Sequence, residues 1–133
     1  MKPFGIHTTV AGSFDEAWVK VTEALETEGF GVLTEIDVRA TLKKKLDVDF
    51  RRYTILGACN PAFAHRALQT TLEVGLLLPC NVVVYEEDGG RVHVAAVDPL
   101  ETIAAHGEPE LQAVARDVHD KLNRVIARVG EKT

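Results

Sequence analysis

Late in the chain, Leu111, Val114, Ala115, Val118, Leu122, Val125, Ile126 and Val129 fall at helical spacing in a segment that opens at Pro109. The stripe runs for about five turns and leaves its other face polar. A helix of this kind must bury its stripe against another layer, so the question becomes what the rest of the chain supplies.

The rest supplies strands and shorter helices. Phe4, Ile6, Thr8 and Val10 alternate with residues of the other face, which predicts a first strand at about positions 4 to 11. Gly12 breaks it, and Ser13-Phe14-Asp15-Glu16 reads as a capping box. Phe14, Ala17, Trp18, Val21 and Leu25 follow at helical spacing, with Gly29 placed as a left-handed terminator. Phe30 to Ile36 alternates again as a second strand. Asp37 is positioned to cap a short helix through Leu46, with Val38, Leu42 and Leu46 on one face and Lys43, Lys44 and Lys45 turned to water. Phe50 to Ala58 predicts a third strand. Asn60-Pro61 opens another helix, whose stripe of Phe63, Ala64, Ala67, Leu68 and Leu72 ends near Gly75. Val82 to Glu87 and Arg91 to Val97 flank Asp88-Gly89-Gly90, a turn that joins antiparallel neighbours.

The order is therefore strand, helix, strand, short helix, strand, helix, hairpin, helix. It predicts a two-layer α+β fold in which helices cover one face of an antiparallel sheet. The competing arrangement is a doubly wound parallel sheet, but no glycine-rich turn follows the first strand to recommend it. With 133 residues, 46% of them hydrophobic, the chain reads as a single domain, 1–133, able to form a core without disulfides. Its formal charge of -5 does not suit a polyanion, so no nucleic-acid partner is expected. Six basic and two acidic residues between Arg39 and Arg52 make a local excess of +4, leaving -9 elsewhere. A solvated helix face accounts for that island, which could otherwise bind an anion or an acidic partner.

The most apolar stretch, Val74 to Tyr85, is broken by Gly75, Pro79 and Asn81 and falls short of the ~20 residues a membrane helix needs. Met1 to Gly12 has no run suited to a signal peptide, and two cysteines are no disulfide framework. A soluble, cytoplasmic protein without a membrane partner is the expectation.

Two strings concentrate the side chains capable of chemistry: Gly57-Ala58-Cys59-Asn60-Pro61 and Gly75-Leu76-Leu77-Leu78-Pro79-Cys80-Asn81. A thiol just ahead of a helix, as Cys59 would be, ionises more easily in the field of the helix N-terminus. Buried cysteine is also a common small apolar residue, Asn60 has a duty as a cap, and Asn81 could serve a turn. If the third strand and the strand from Val82 run antiparallel, which is the favoured arrangement, Cys59 and Cys80 meet at one end of the sheet. His65 is the histidine nearest a cysteine string and the best acid-base candidate, although a surface imidazole explains it too. His7 and His93 sit in predicted strands and could face each other, though ordinary solvent-facing positions are the commoner case. No GxSxG, P-loop, GxGxxG or HExxH pattern is present, so no catalytic residue, metal or cofactor is assigned.

Arg52-Tyr53-Thr54-Ile55-Leu56-Gly57-Ala58-Cys59-Asn60-Pro61 and Gly75-Leu76-Leu77-Leu78-Pro79-Cys80-Asn81-Val82-Val83-Val84-Tyr85-Glu86 together resemble a known family. It is the domain of unknown function 302 of bacteria and archaea, and the likeness extends from the lead-in at Thr41-Leu42-Lys43 over nearly the whole chain. The resemblance implies a TATA-box-binding-protein-like fold, a curved antiparallel sheet with helices on one face, and a homodimer. It does not imply DNA binding, because function must be argued from the site and the chain is acidic. Cys59, Asn60, Pro61, Pro79, Cys80 and Asn81 are carried over as signature positions only.

The functional expectation is a non-catalytic module, acting as a homodimer, that binds a small molecule or a protein near Cys59, Asn60, Cys80, Asn81 and His65. The alternatives are a thiol redox or soft-metal site on Cys59 and Cys80, completed by His65 in the metal case, and a purely structural or assembly role.

Overall fold

In the predicted capping box, the Ser13 hydroxyl accepts from the Glu16 N–H at 3.1 Å, and the Glu16 carboxylate accepts from the Ser13 N–H at 3.0 Å. Two otherwise orphaned donors are satisfied, and helix α1 (Phe14–Thr27) begins there. Gly29, at φ +85°, turns the chain out of it. A computed structural model describes residues 4–130 of the chain, so the expected span of 1–133 reaches beyond the described residues at both ends. The remaining elements are β1 (Ile6–Val10), β2 (Gly31–Asp37), α2 (Val38–Leu46), β3 (Tyr53–Cys59), α3 (Pro61–Thr70), β4 (Cys80–Glu86), β5 (Val92–Ala96) and α4 (Pro109–Val129).

The five strands form one antiparallel sheet in the order β1-β5-β4-β3-β2. The hairpin between β4 and β5 turns at Gly89 and Gly90, both with positive φ. Burial alternates along β5 and through most of β4, placing Val82, Val84, Val92, Val94 and Ala96 in the core. Leu56 and Ala58 of β3 join them. Val21 and Leu25 of α1, and Leu122 and Val125 of α4, close over this face in the same cluster. Removing each such side chain from water stabilises the fold by roughly 1.5–3 kcal/mol before conformational entropy is set against it. The long amphipathic helix thus finds its second layer: α4 packs on β1 and β5 and against α1 and α3.

Several local expectations are corrected. β3 starts at Tyr53, not Phe50, and β1 at Ile6. The helix expected to reach Gly75 stops at Thr70: Thr71 is extended at φ -153°, and Leu72–Leu77 is a separate 3-10 segment. The Thr70 hydroxyl donates back to the Arg66 carbonyl at 3.1 Å, a bond that loosens helix ends. Leu72, in register with the stripe, is consequently 81% exposed. α2 is capped by Asp37 as expected, through the Ala40 N–H at 2.9 Å, yet it buries no residue and leaves Leu46 exposed.

Candidate functional site

β3 and β4 pair with Ala58 opposite Cys80, so Cys59 and Cys80 reach the same end of the sheet. Both are free thiols. With Phe30, Phe63, Ala67 and Val118 they line a cavity of about 20 Å³, room for one water molecule and not for a metabolite. Burial, followed by the neighbouring Cys59, pushes the Cys80 thiol up to about 11, so it stays protonated at neutral pH. Metal ligation and thiol exchange both need the thiolate. Among the described residues, no group of three or more His, Cys, Asp or Glu side chains is placed to hold a metal ion.

Asn60 borders the same cavity but does not cap α3 through its side chain. Its Nδ2 instead donates to the Glu28 carbonyl at 3.1 Å, tying the β3–α3 turn to the end of α1. The Glu28 carboxylate accepts from Arg124 of α4 at 2.9 and 3.1 Å. Three elements are therefore fastened at this junction. A Cβ on Gly29 would come within 3.1 Å of Asn60 Nδ2, and its φ of +85° also favours glycine, so the close approach of this turn to Asn60 suits a glycine there. His65 is exposed on α3 and outside the cavity lining, and Asn81 is exposed on β4 opposite Gly57. Of the five expected site residues, Cys59, Asn60 and Cys80 meet, while His65 and Asn81 stand apart.

The other end of the sheet holds a larger opening. A cleft of about 270 Å³ lies among Asp15 and Trp18 of α1, Glu35 and Asp37 of β2, Arg39 of α2, and Arg52. Arg52 pairs with Asp15 at 2.9 Å and lies 4.2 Å above the Phe14 ring. The Trp18 indole N–H donates to Glu35 at 3.1 Å. The lining is polar and carries both signs of charge, so it suits a small zwitterion or a polar side chain better than an apolar molecule.

β2 is the sheet edge beside that cleft, and all seven of its residues are exposed. Val32, Leu33 and Ile36 lie on it, and Leu46, Val48 and Phe50 are exposed on the segment that follows.

The domain of unknown function DUF302 matches residues 6–129 of the chain. The chain belongs to this family. The crystal structure of an uncharacterized conserved DUF302 protein from Bacillus stearothermophilus has the same fold, with a TM-score of 0.87. The two are 33% identical, and the alignment covers 96% of this chain and 98% of that one. No curated protein matches the chain. The DUF302 assignment thus agrees with the two signature strings, and the geometry gives Cys59, Asn60 and Cys80 a packing duty at the junction they share.

No local motif announces the cleft. Trp18 and Glu35 are 17 positions apart, and Asp15 and Arg52 are 37 apart, so only the sheet brings them together. The available signal was indirect: a tryptophan near the start of a capped helix, and one acidic residue, Glu35, in a strand read as alternating. Described helices include none long and apolar enough to cross a membrane.

Proposed function

We propose that this DUF302 chain is a single-domain, cytoplasmic, non-catalytic binding protein that works as a homodimer, with β2 as the dimer edge. The observation that carries the reading is the bare strand itself. Natural sheets shield an open edge with charge, bulges or covering structure, because unpaired N–H and C=O groups recruit another strand. β2 has a bulge at Leu33, yet it leaves that leucine 68% and Ile36 48% exposed.

The occupant is a second copy. An edge strand is complementary to itself when two copies meet about a twofold axis in antiparallel pairing. Its charges favour that pairing: Glu35 and Asp37 fall in the second half of β2, and Gly31, Val32 and Leu33 in the first. Antiparallel contact sets acidic halves against apolar ones, whereas parallel contact would oppose like charges directly. The exposed apolar side chains from Val32 to Phe50 offer of order 500 Å², which with a polar rim approaches the ~800 Å² per partner of a standard interface. The cleft opens beside this edge, so a partner subunit would wall it, and it is the place where a small polar ligand is expected.

Native mass spectrometry and light scattering on the full chain test the reading. A dimer at micromolar concentration is expected, and Leu33→Asp with Ile36→Lys should weaken it at least about 100-fold, roughly the effect of losing a central interface cluster. A strict monomer, or a dimer indifferent to both substitutions, refutes it.

A further inference from the structure

The uncovered face of the sheet carries a row of ring side chains, of which Tyr53 at one end also lines the cleft. Tyr53, Tyr85 and His93 are register partners across β3, β4 and β5. Their rings stack with centroids 5.2 and 4.9 Å apart. His7 of β1 ends the row, with its Nδ1 2.8 Å from Nε2 of His93.

The proton positions follow from the partners. His7 Nε2 hydrogen-bonds the Phe4 carbonyl, which can only accept, so that nitrogen carries a hydrogen. In the neutral ring His7 Nδ1 is then bare, and the hydrogen between the two rings belongs to His93 Nε2. By the same rule His93 Nδ1 is bare in its neutral ring. That atom is buried without a hydrogen-bond partner among the described residues, and Glu87 Oε2 faces it at 3.5 Å. Among the described residues, the other titratable or charged groups near the row are Tyr85 and Tyr53, Arg91, which donates to Thr9 at 3.2 Å, and Glu101, which accepts from the Gly5 N–H at 2.8 Å.

We propose that Glu87, His93, His7 and the Phe4 carbonyl form a proton-operated clasp on edge strand β1, closed with no or one added proton and open with two. The first added proton goes to His93 Nδ1, the bare nitrogen that Glu87 faces, and the His93–His7 bond survives. The second can go only to His7 Nδ1, which is the acceptor of that bond. Two N–H groups on two cationic rings then point at each other, and the link from β5 to β1 is lost. Burial first, and then the neighbouring His7, hold His93 below the ordinary histidine range, with Glu87 pulling the other way.

The inference is independent of dimerisation and is tested on the wild-type chain. Long-range proton–nitrogen NMR at about pH 8 should show both rings as Nε2–H tautomers. On acidification, exchange protection of the β1 amides should fall faster than that of β4, by up to about tenfold per pH unit for each proton taken up on opening. His93→Gln keeps a donor toward neutral His7, and its amide can turn its oxygen to accept from a protonated His7, so it should flatten that dependence. An Nδ1–H tautomer at His7, or identical acid profiles for β1 and β4, overturns the proposal; the tautomer and the wild-type profiles decide the matter even if the variant fails to fold.

Discussion

Along β1, residue after residue is held from outside the ladder: Gly5 just before it by Glu101, His7 by His93, Thr9 by Arg91, and Thr8 by the close approach of Gly130 at the end of α4. Along β2, at the opposite edge, all seven residues are exposed, and Glu35 makes the main side-chain link back, to Trp18. Both edges belong to one sheet and present the same unpaired backbone. The difference lies in what each has been given to cover it. β1 is finished within the chain, and β2 has an apolar surface that nothing among the described residues finishes, which is why the homodimer is proposed there.

The largest effect should come from disturbing the seat of β2. Gly57 lies opposite Thr34, and a Cβ there would collide with the Thr34 hydroxyl and come within 2.8 Å of the Pro79 ring. Gly57→Val should therefore cost about 2–3 kcal/mol, the upper range for overpacking, and lower Tm by roughly 10 °C or more in a domain of this size. Because the strain falls on β2, the dimer should weaken as well. Thermal unfolding and light scattering check both; a variant with wild-type Tm would mean that β2 is held far more loosely than its register implies.

These two edges also mark where the sequence is legible. Signals carried within a few residues survive: the Ser13–Glu16 box, the Gly29 stop, the Asp37 cap, the Gly89-Gly90 turn and the α4 stripe all appear as read. The antiparallel pairing of β3 with β4, and with it the meeting of Cys59 and Cys80, was also readable. What alternation cannot say is where in the sheet a strand lies, since strand order is decided by contacts far apart in sequence. Phe30 to Ile36 therefore reads as an ordinary half-buried strand, although only Phe30, outside β2, is buried. The same limit hid the cleft. Asn60 failed differently: the cap position was right, but the side chain serves the Glu28 carbonyl, an acceptor 32 residues away.

A smaller effect is expected where α4 guards β1. Gly130→Ala would set a methyl against the Thr8 hydroxyl. Gly130 has φ -79°, which alanine accepts readily, so reduced freedom of the unfolded chain should return about 0.4–1 kcal/mol. Overpacking costs typically about 1–3 kcal/mol, and Thr8 can rotate to relieve part of it. The contact wins narrowly, for a net loss of about 1 kcal/mol or less, with faster hydrogen exchange in β1 and unchanged dimerisation. Weaker dimerisation in this variant would break the separation between the edges.

The smallest expected effect is a pH profile, and its sign separates the edges once more. Burial, then His7, lowers His93 from its ordinary 6.5, so near and below that value the folded chain binds fewer protons than the unfolded one. Its contribution is fully present above 6.5 and is lost as pH falls through the folded value. The Arg124 hydrogen bond lowers Glu28 from 4.5, and the Ser13 backbone lowers Glu16 likewise. Those contributions have the same sign but are lost only as pH falls below 4.5. Stability should therefore decline in two steps, the first belonging to the β1 side of the sheet and not to β2, which contains no histidine. Urea unfolding from about pH 8 to about pH 2 should show both steps in the wild type and only the lower one in His93→Gln. An upper step that survives the substitution would place the titrating group elsewhere and leave the two edges alike in their response to acid.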